Sequence, residues 1–582
     1  MASPAFRSLI RLTVRVIAVL AQLAGIAAAG FALWLRNSGS SWLERTVRER
    51  INTAVERASV QGYHFTMESL RADARSGDLV VIGAELTFDT CLLDSLRNGE
   101  YRYLFAAKVA RVELRGLSLW KLLIEDEFSV HAFVLDGPEL SYYVHGGHAD
   151  LADPFKQMRG GASGGVALMR ADTLAVRGAN ATVHDLSEHL PVLSVSGLEL
   201  MGSGVRVTRG AVRSGVRLVV ADAHMRLDSI GTQLPDGGRL HIGAIRLSRK
   251  EHIGHFTAIT FTPPPEDTTD LARARKTVVA ATIDSIDVTG LDLDRAITNE
   301  ALHLDRMSVH GMHVSVHLDK ALPFDSTAKH LLPPAALAAL PFSIRLDTLE
   351  LTDGDVFYRE RNPITRRWGT VPFTALRARF LQIDNDAVGS AEASAFNGEF
   401  SGTLFYNGRF YGTYRVAPGG SGRFSIGVSL TDMPLTALNM ASRPLMRMEV
   451  DGGTLHRMTL RMEGNAVRAK GNLAMDYAGF LLRVEPGTPP DVRHSLFGGV
   501  LSTVLEQAYG GGLTAESERN IAVEHEPGRS LFNYVWRITR EGIVRNLRPE
   551  VRERMKTVLR SDAEKRREER AVRKERKATP SQ

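Results

Sequence analysis

Gly161-Ala162-Ser163-Gly164-Gly165 has the spelling of a nucleophile elbow, the strained strand-to-helix turn that exposes a serine for acyl transfer. Here the five residues lie in a glycine-rich loop, without the strand before and the helix after that the turn needs. A catalytic serine is not expected. His303, His310, His313 and His317 invite a metal reading. On a strand His313 and His317 share a face while His310 points away, and no H-E-x-x-H spelling or cysteine cluster accompanies them. Solvated strand histidines are the expectation. Asp284, Asp305 and Asp347 recur at one position of a repeated pattern, but too far apart in sequence to read as paired catalytic acids. No phosphate-cradling glycine loop stands between a strand and a helix. The chain reads as a protein that is not an enzyme, with no catalytic residues, no metal and no cofactor.

What recurs is apolar. The pattern is apolar, two others, apolar, any, apolar, any, then Gly or Asp. It appears at Val109–Gly116, Val130–Gly137, Ala171–Gly178, Leu190–Gly197, Ile283–Gly290, Leu304–Gly311 and Leu346–Asp353, with an echo at Leu455, Met458 and Leu460. The last four positions alternate apolar and polar, the period of a strand with one dry face. The closing Gly or Asp is expected to supply a turn. Starts separated by about 20 or about 40 residues suggest a unit of one or two strand pairs. The expected fold class is mainly β, an elongated, repetitive β-sheet. A face that simply closes into a core remains the alternative on pattern alone.

Composition agrees. At 582 residues the chain exceeds the usual size of one domain, so several domains or a repetitive body is expected. Aromatic content of 7% with 52 glycines suits short strands and turns better than a helical bundle. The single Cys91 can form no internal disulfide, leaving packing and strand pairing to hold the body.

The net charge of +6 is not spread evenly. Arg540 to Lys577 holds fifteen Lys/Arg against eight Asp/Glu, so the rest of the chain is close to neutral. No basic face for nucleic acid is expected on the body. Val16–Leu35 is apolar apart from Gln22, long enough to span a bilayer as a helix. Arg7, Arg11 and Arg15 precede it, which keeps the N-terminus cytoplasmic and exports the chain beyond Arg36. A signal peptide cleaved near Ala27-Ala28-Ala29 is the alternative. The apolar run continues through Phe31, Leu33, Trp34 and Leu35, which favours an uncleaved anchor.

The expected organisation is then a cytoplasmic N-terminus and transmembrane anchor over 1–36 and an amphipathic helix over 41–58, opened by a Ser41–Glu44 capping box. A repetitive body occupies 60–485. A C-terminal region over 490–548 carries an aromatic amphipathic helix that Ser530 can cap, and a charged basic tail occupies 549–582. Phe532, Tyr534 and Trp536 on that helix suit a membrane interface or a partner groove.

Val60-Gln61-Gly62-Tyr63-His64-Phe65, the stretch Gly77–Leu86, Leu117–Leu123 and Phe128–Leu140 with its Gly137-Pro138 close succeed the anchor in an order that resembles the AsmA-like family of bacterial envelope proteins. The likeness covers the first 145 residues; beyond them the repeats agree in style, and Pro527–Trp536 running on to Ile543 looks like the C-terminal end of some members. The resemblance implies a groove-shaped, taco-like β-sheet related to chorein-type bridge-like lipid-transfer proteins. It implies a single-pass protein of the bacterial inner membrane with a periplasmic body, partnered by phospholipids and by the outer membrane or an envelope protein. Val112, Leu114, Ile286, Val288, Leu349 and Leu351 are the candidates to line such a groove. A diacyl lipid with ~30 methylenes at ~0.8 kcal/mol each would cost about 24 kcal/mol to expose to water, which an apolar sheet face would offset. An anchored scaffold assisting outer-membrane protein assembly is the alternative function.

Overall fold

The computed structural model describes residues 62–546, apart from 74–75, 102, 119–120, 122–126, 147–167, 189–190, 209–216, 235, 265–276, 299–300, 324–330, 341, 386–395, 418–421, 485–512, 516–520 and 527–528. The anchor, the helix expected over 41–58, the Gly161–Gly165 loop and the basic tail lie outside the described residues. Among the described residues no helix is long and apolar enough to cross a membrane.

The protein is mainly β, with strands in a long mixed sheet. The chain divides into two compact units. The first takes the described residues up to Glu266 together with Thr282–Ser308 and Pro341–Ser343; the second takes Asp267–Ala281, Val309–Leu340 and the described residues from Ile344 onward.

The first unit contains β1 (Tyr63–Thr66), β2 (Ser69–Asp73), β3 (Asp78–Phe88), β4 (Leu104–Arg115), β5 (Glu127–Val144) and β6 (Leu168–Asp185). It continues with β7 (Leu193–Thr208), β8 (Arg217–Val219), β9 (Asp222–Leu227), β10 (Ser229–Gln233), β11 (Arg239–Ser248) and β12 (Ile253–Thr262). β1 and β2 both pair with β3, and the sheet continues through β4, β5, β6 and β7 to β9 and β10, then to β11 and β12. The strands β13 (Thr277–Thr289) and β14 (Ala301–Asp319) give residues to both units. The second unit runs β15 (Ser343–Arg361), β16 (Trp368–Asp384), β17 (Asn397–Leu404), β18 (Gly408–Val416), β19 (Phe424–Pro434), β20 (Met448–Gly464) and β21 (Arg468–Val484). From β15 each strand pairs antiparallel with the next, and β21 then pairs with β22 (Leu513–Ala515) and β23 (Ile521–Glu524).

The repeat has a structural counterpart. β5 and β6 run parallel, with Val130 opposite Ala171, Phe133 opposite Leu174 and Leu135 opposite Val176, so the copies starting at 130 and 171 lie side by side in register. Later in the chain the copies starting at 304 and 346 keep a similar offset. His310 Nδ1 lies 2.7 Å from Thr352 Oγ1, and Arg361 donates to Asp319 at 3.2 Å, each pair 42 residues apart.

The closing Gly or Asp does not make the expected turn in five of these copies. Gly137, Gly178, Gly197, Gly311 and Asp353 sit inside β5, β6, β7, β14 and β15 with φ between +54° and +63°. An extended strand takes a positive φ only as a bulge, which bends the strand and sharpens its twist. Gly137 and Gly178 stand abreast across the parallel pair, where ladder pairing skips from Asp136–Arg177 to Glu139–Asn180. Only at Gly116 and Gly290 does the glycine come just after the strand's last residue.

Short helices close the cores. In the first unit α1 (Cys91–Arg97) packs Leu92 and Leu96 with Tyr63, Leu86 and Leu104. Burial there pushes the Tyr63 hydroxyl up to about 12, against a 3.1 Å hydrogen bond that it accepts from Phe105 N–H. Later helices are α2 (Leu293–Thr298), α3 (Pro333–Ala338), α4 (Asn439–Met446) and α5 (Leu531–Asn546). α4 buries Ala441, Leu445 and Met446 against Val371, Phe405, Val450 and Leu455. The hairpin joining β15 to β16 fixes its C-terminal end: Asn362 Nδ2 donates to Leu445 O at 2.8 Å and Thr365 Oγ1 donates to Pro444 O at 2.8 Å. Beside it the buried Glu360 carboxylate accepts from Lys320 Nζ at 2.8 Å and from the Tyr358 hydroxyl at 2.9 Å.

Candidate functional site

Strand pairing lines up apolar residues in rows that cross the sheet. In the first unit one row runs Val81, Val112, Leu135, Val176, Leu200, Met225, Leu247 and Gly254. Val288 lies over its end, since a Cβ on Gly254 would meet Val288 Cγ2 at 2.7 Å. The neighbouring row runs Leu79, Leu114, Phe133, Leu174 and Gly202. Five of the six groove candidates therefore lie on or against such rows, once the second unit is included. They differ in access: Leu114 is 0% and Val288 4% exposed, while Val112, Ile286, Leu349 and Leu351 are half-buried. In the first unit the apolar face is mostly a packed core; Leu135, Val176 and Phe133 are all sealed.

The second unit is different. Its rows are Leu351, Ala378, Phe400, Gly412, Val428, Leu460 and Leu473, and Leu349, Phe380, Gly398, Tyr414, Ile426, Met462 and Gly471. Rings alternate with glycines along them. Phe380 covers Gly398 and Phe400 covers Gly412, so that a Cβ on either glycine would collide with the ring. A ring over a glycine shields the backbone that the missing side chain leaves open. Tyr358, Phe532, Phe373, Phe410 and Phe400 form one chain of ring contacts, with centroids 5.7 to 6.3 Å apart.

Helices cover this face at two places. α5 lies on β21, with Ile538 over Gly471 and Gly542 against Leu473, sealing Leu460 and Leu473 to 2% or less. Ser530 caps it, its Oγ accepting from Asn533 N–H at 3.5 Å, and Arg537 ties it down through Glu524 O and Glu526, each at 2.8 Å. α4 covers the face near Phe405 and Leu455. Between the two cores Phe373, Phe400, Phe410, Val428, Met458 and Met475 are only half-buried. Met458 and Met475 face each other across β20 and β21 and pack against both cores. This strip of rings and thioethers is the candidate site.

Neither a family model nor a curated protein matches this chain.

The three docking candidates on α5 separate. Phe532 is 41% exposed and meets the Tyr358 ring at a tilt and the Phe373 ring edge-on, at the margin of the strip. Trp536 is half-buried. Tyr534 is 1% exposed and packed against Phe424 and His525, so it is a core residue and not a docking one. Its neighbours Leu531, Val535 and Ile538 turn the same side inward, and the helix rotates Tyr534 with them. Its hydroxyl and that of Tyr414 are buried without a hydrogen-bond partner among the described residues, and desolvation raises both, Tyr534 to about 12.

The four histidines do not converge. His303 Nδ1 meets Arg295, His310 meets Thr352, His313 meets Asp355, and the His317 ring lies tilted beside Trp368. No group of three His, Cys, Asp or Glu is placed to hold a metal among the described residues. The strip itself was missed in sequence, although it has a signal there: Gly398-Glu399-Phe400-Ser401-Gly402 and Gly408-Arg409-Phe410-Tyr411-Gly412 repeat Gly-x-Phe-x-Gly, which on a strand puts a ring between two glycines on one face.

Proposed function

We propose that this chain binds phospholipid acyl chains along the apolar face of its sheet and moves or bridges phospholipids between the inner and outer membranes of a bacterial envelope. In this reading residues 16–35 anchor it in the inner membrane, the body is periplasmic, and the sheet forms a taco-like groove. The half-buried strip of Phe373, Phe400, Phe410, Met458 and Met475 carries the reading. A packed core hides such residues, whereas an acyl chain laid over them recovers burial worth ~0.8 kcal/mol per methylene. Thioethers adapt to chains of differing shape, and the rings add apolar area beside them. Leu349 and Leu351 extend the same face. The sealed Leu114 and Val288 act in this reading as the floor that keeps the sheet rigid.

The test is lipid occupancy. Gently solubilised full-length protein should carry phospholipid detectable by mass spectrometry, and Phe400→Asp or Met458→Asp should empty it while circular dichroism stays unchanged. Arg409→Asp, on the exposed face of β18, should not. Protein that carries no lipid would favour the scaffold function instead.

A further inference from the structure

We propose that the hairpin between β15 and β16 is a docking surface for an anionic phospholipid bilayer. Arg359 to Trp368 contains four arginines and one glutamate. Glu360 is 0% exposed and already neutralised by Lys320, and Arg361 is engaged by Asp319. That leaves Arg359, Arg366 and Arg367, all exposed, with no acidic side chain paired to them among the described residues. Beside them Trp368 is 38% exposed, with the Arg359 guanidinium 5.7 Å from its ring centroid. On the helix that the hairpin grips, Met440 is 39% exposed and Arg443 is paired with Glu449.

Three features suit a bilayer surface. Guanidinium groups recognise phosphate oxygens through paired N–H donors and remain charged at any working pH. An indole with an apolar body and one N–H settles at the headgroup level. The tip is also held in place before any partner arrives. Asn362 Oδ1 accepts from Ile364 N–H at 2.7 Å and Thr365 N–H at 2.9 Å, while Asn362 Nδ2 and Thr365 Oγ1 bind the carbonyls of α4. A surface ordered in advance gives up little conformational freedom on binding. This inference stands apart from acyl-chain binding in the strip, since it concerns headgroups met at the hairpin.

The full chain, held in phosphatidylcholine nanodiscs, is the material for the test. A Cys91→Ser, Pro363→Cys variant carries an environment-sensitive dye on the introduced thiol. Vesicles containing phosphatidylglycerol should shift the dye to shorter wavelength, and pure phosphatidylcholine vesicles should not. Adding Arg359→Gln, Arg366→Gln and Arg367→Gln together should weaken the response roughly tenfold or more, and rising salt should do the same to the parent. Trp368→Ala should weaken it at every salt concentration. Thermal melting checks that each variant is folded, and mass spectrometry reads lipid occupancy separately. A dye that ignores anionic vesicles, or responds equally in the triple variant, overturns the proposal. So does a dye that responds only to polyglutamate or RNA, which would assign the surface to an acidic macromolecule.

Discussion

Tyr534 and Tyr414 bury hydroxyls from which no neighbour among the described residues accepts a hydrogen bond, against a desolvation cost of about 1–3 kcal/mol for such a group. Tyr534→Phe should therefore leave the melting temperature unchanged or raised, whereas Tyr534→Ala should cost about 3–5 kcal/mol through the cavity it opens. A clear loss on Tyr534→Phe would mean that the hydroxyl has a partner. Alkaline pH probes the same burial. Tyr63 and Tyr534 are held near 12, above the unfolded value of about 10. Their contribution is complete below pH about 10 and is lost as pH climbs through about 12, because the unfolded chain releases its phenolic protons first. Stability measured by denaturant should fall across that window, less steeply in Tyr534→Phe. The buried pair offers a third residue-scale test. Glu360→Ala leaves Lys320 desolvated and should cost about 3–5 kcal/mol, while Lys320→Met combined with Glu360→Leu should recover most of it. Residue roles were only partly legible in the sequence: alternation placed Leu349 and Leu351 on the apolar face, but it carries no sign of which apolar residue a helix later seals.

The repeat was legible as strands because its last four positions alternate, and its spacing of about 40 reflects copies laid in parallel register, as Val130 beside Ala171 shows. Its closing glycines read as turns yet mostly form bulges, since Gly and Asp serve a turn and a bulge through the same positive φ. Gly137→Val should test the bulge. A β-branched residue at φ +58° should cost on the order of 1–3 kcal/mol by denaturant unfolding, more than the same change at a strand glycine with ordinary φ such as Gly427. A helix capped by Ser530 and carrying apolar residues from Leu531 to Leu547 is expected from the sequence. The docking of α4 is not, because it depends on Asn362 and Thr365, more than 75 residues away in sequence. Asn362→Ala removes the turn acceptor for Ile364 and Thr365 and the buried donor to Leu445 O at once, and about 2 kcal/mol or more is expected in the thermal melt. Gly369→Ala should act on the same joint, its Cβ meeting Leu445.

At the scale of the whole chain, charge and apolar surface are distributed unevenly, and the two can be separated by where the chain is cut. About +7 of charge lies in Arg540–Lys577, whereas the apolar strip and the exposed hairpin arginines belong to the second unit. Removing 549–582 leaves α5 with its Ile538 and Gly542 contacts, so the thermal melt of the body should not change. Binding to anionic vesicles should weaken in a salt-dependent way, since each basic charge near such a surface is worth up to ~1 kcal/mol and is screened within a Debye length. Removing 530–582 takes α5 as well and uncovers Leu460, Leu473 and Ile521. That protein should bind a hydrophobic dye strongly and melt earlier, while its dependence on salt matches that of the shorter truncation. If the first cut lowers the melting temperature as much as the second, the tail packs on the body and its charge is structural. If the first cut leaves vesicle binding unchanged at low salt, the tail contributes nothing to docking, and the exposed Phe532 with the Arg359–Trp368 hairpin must account for any attachment that remains.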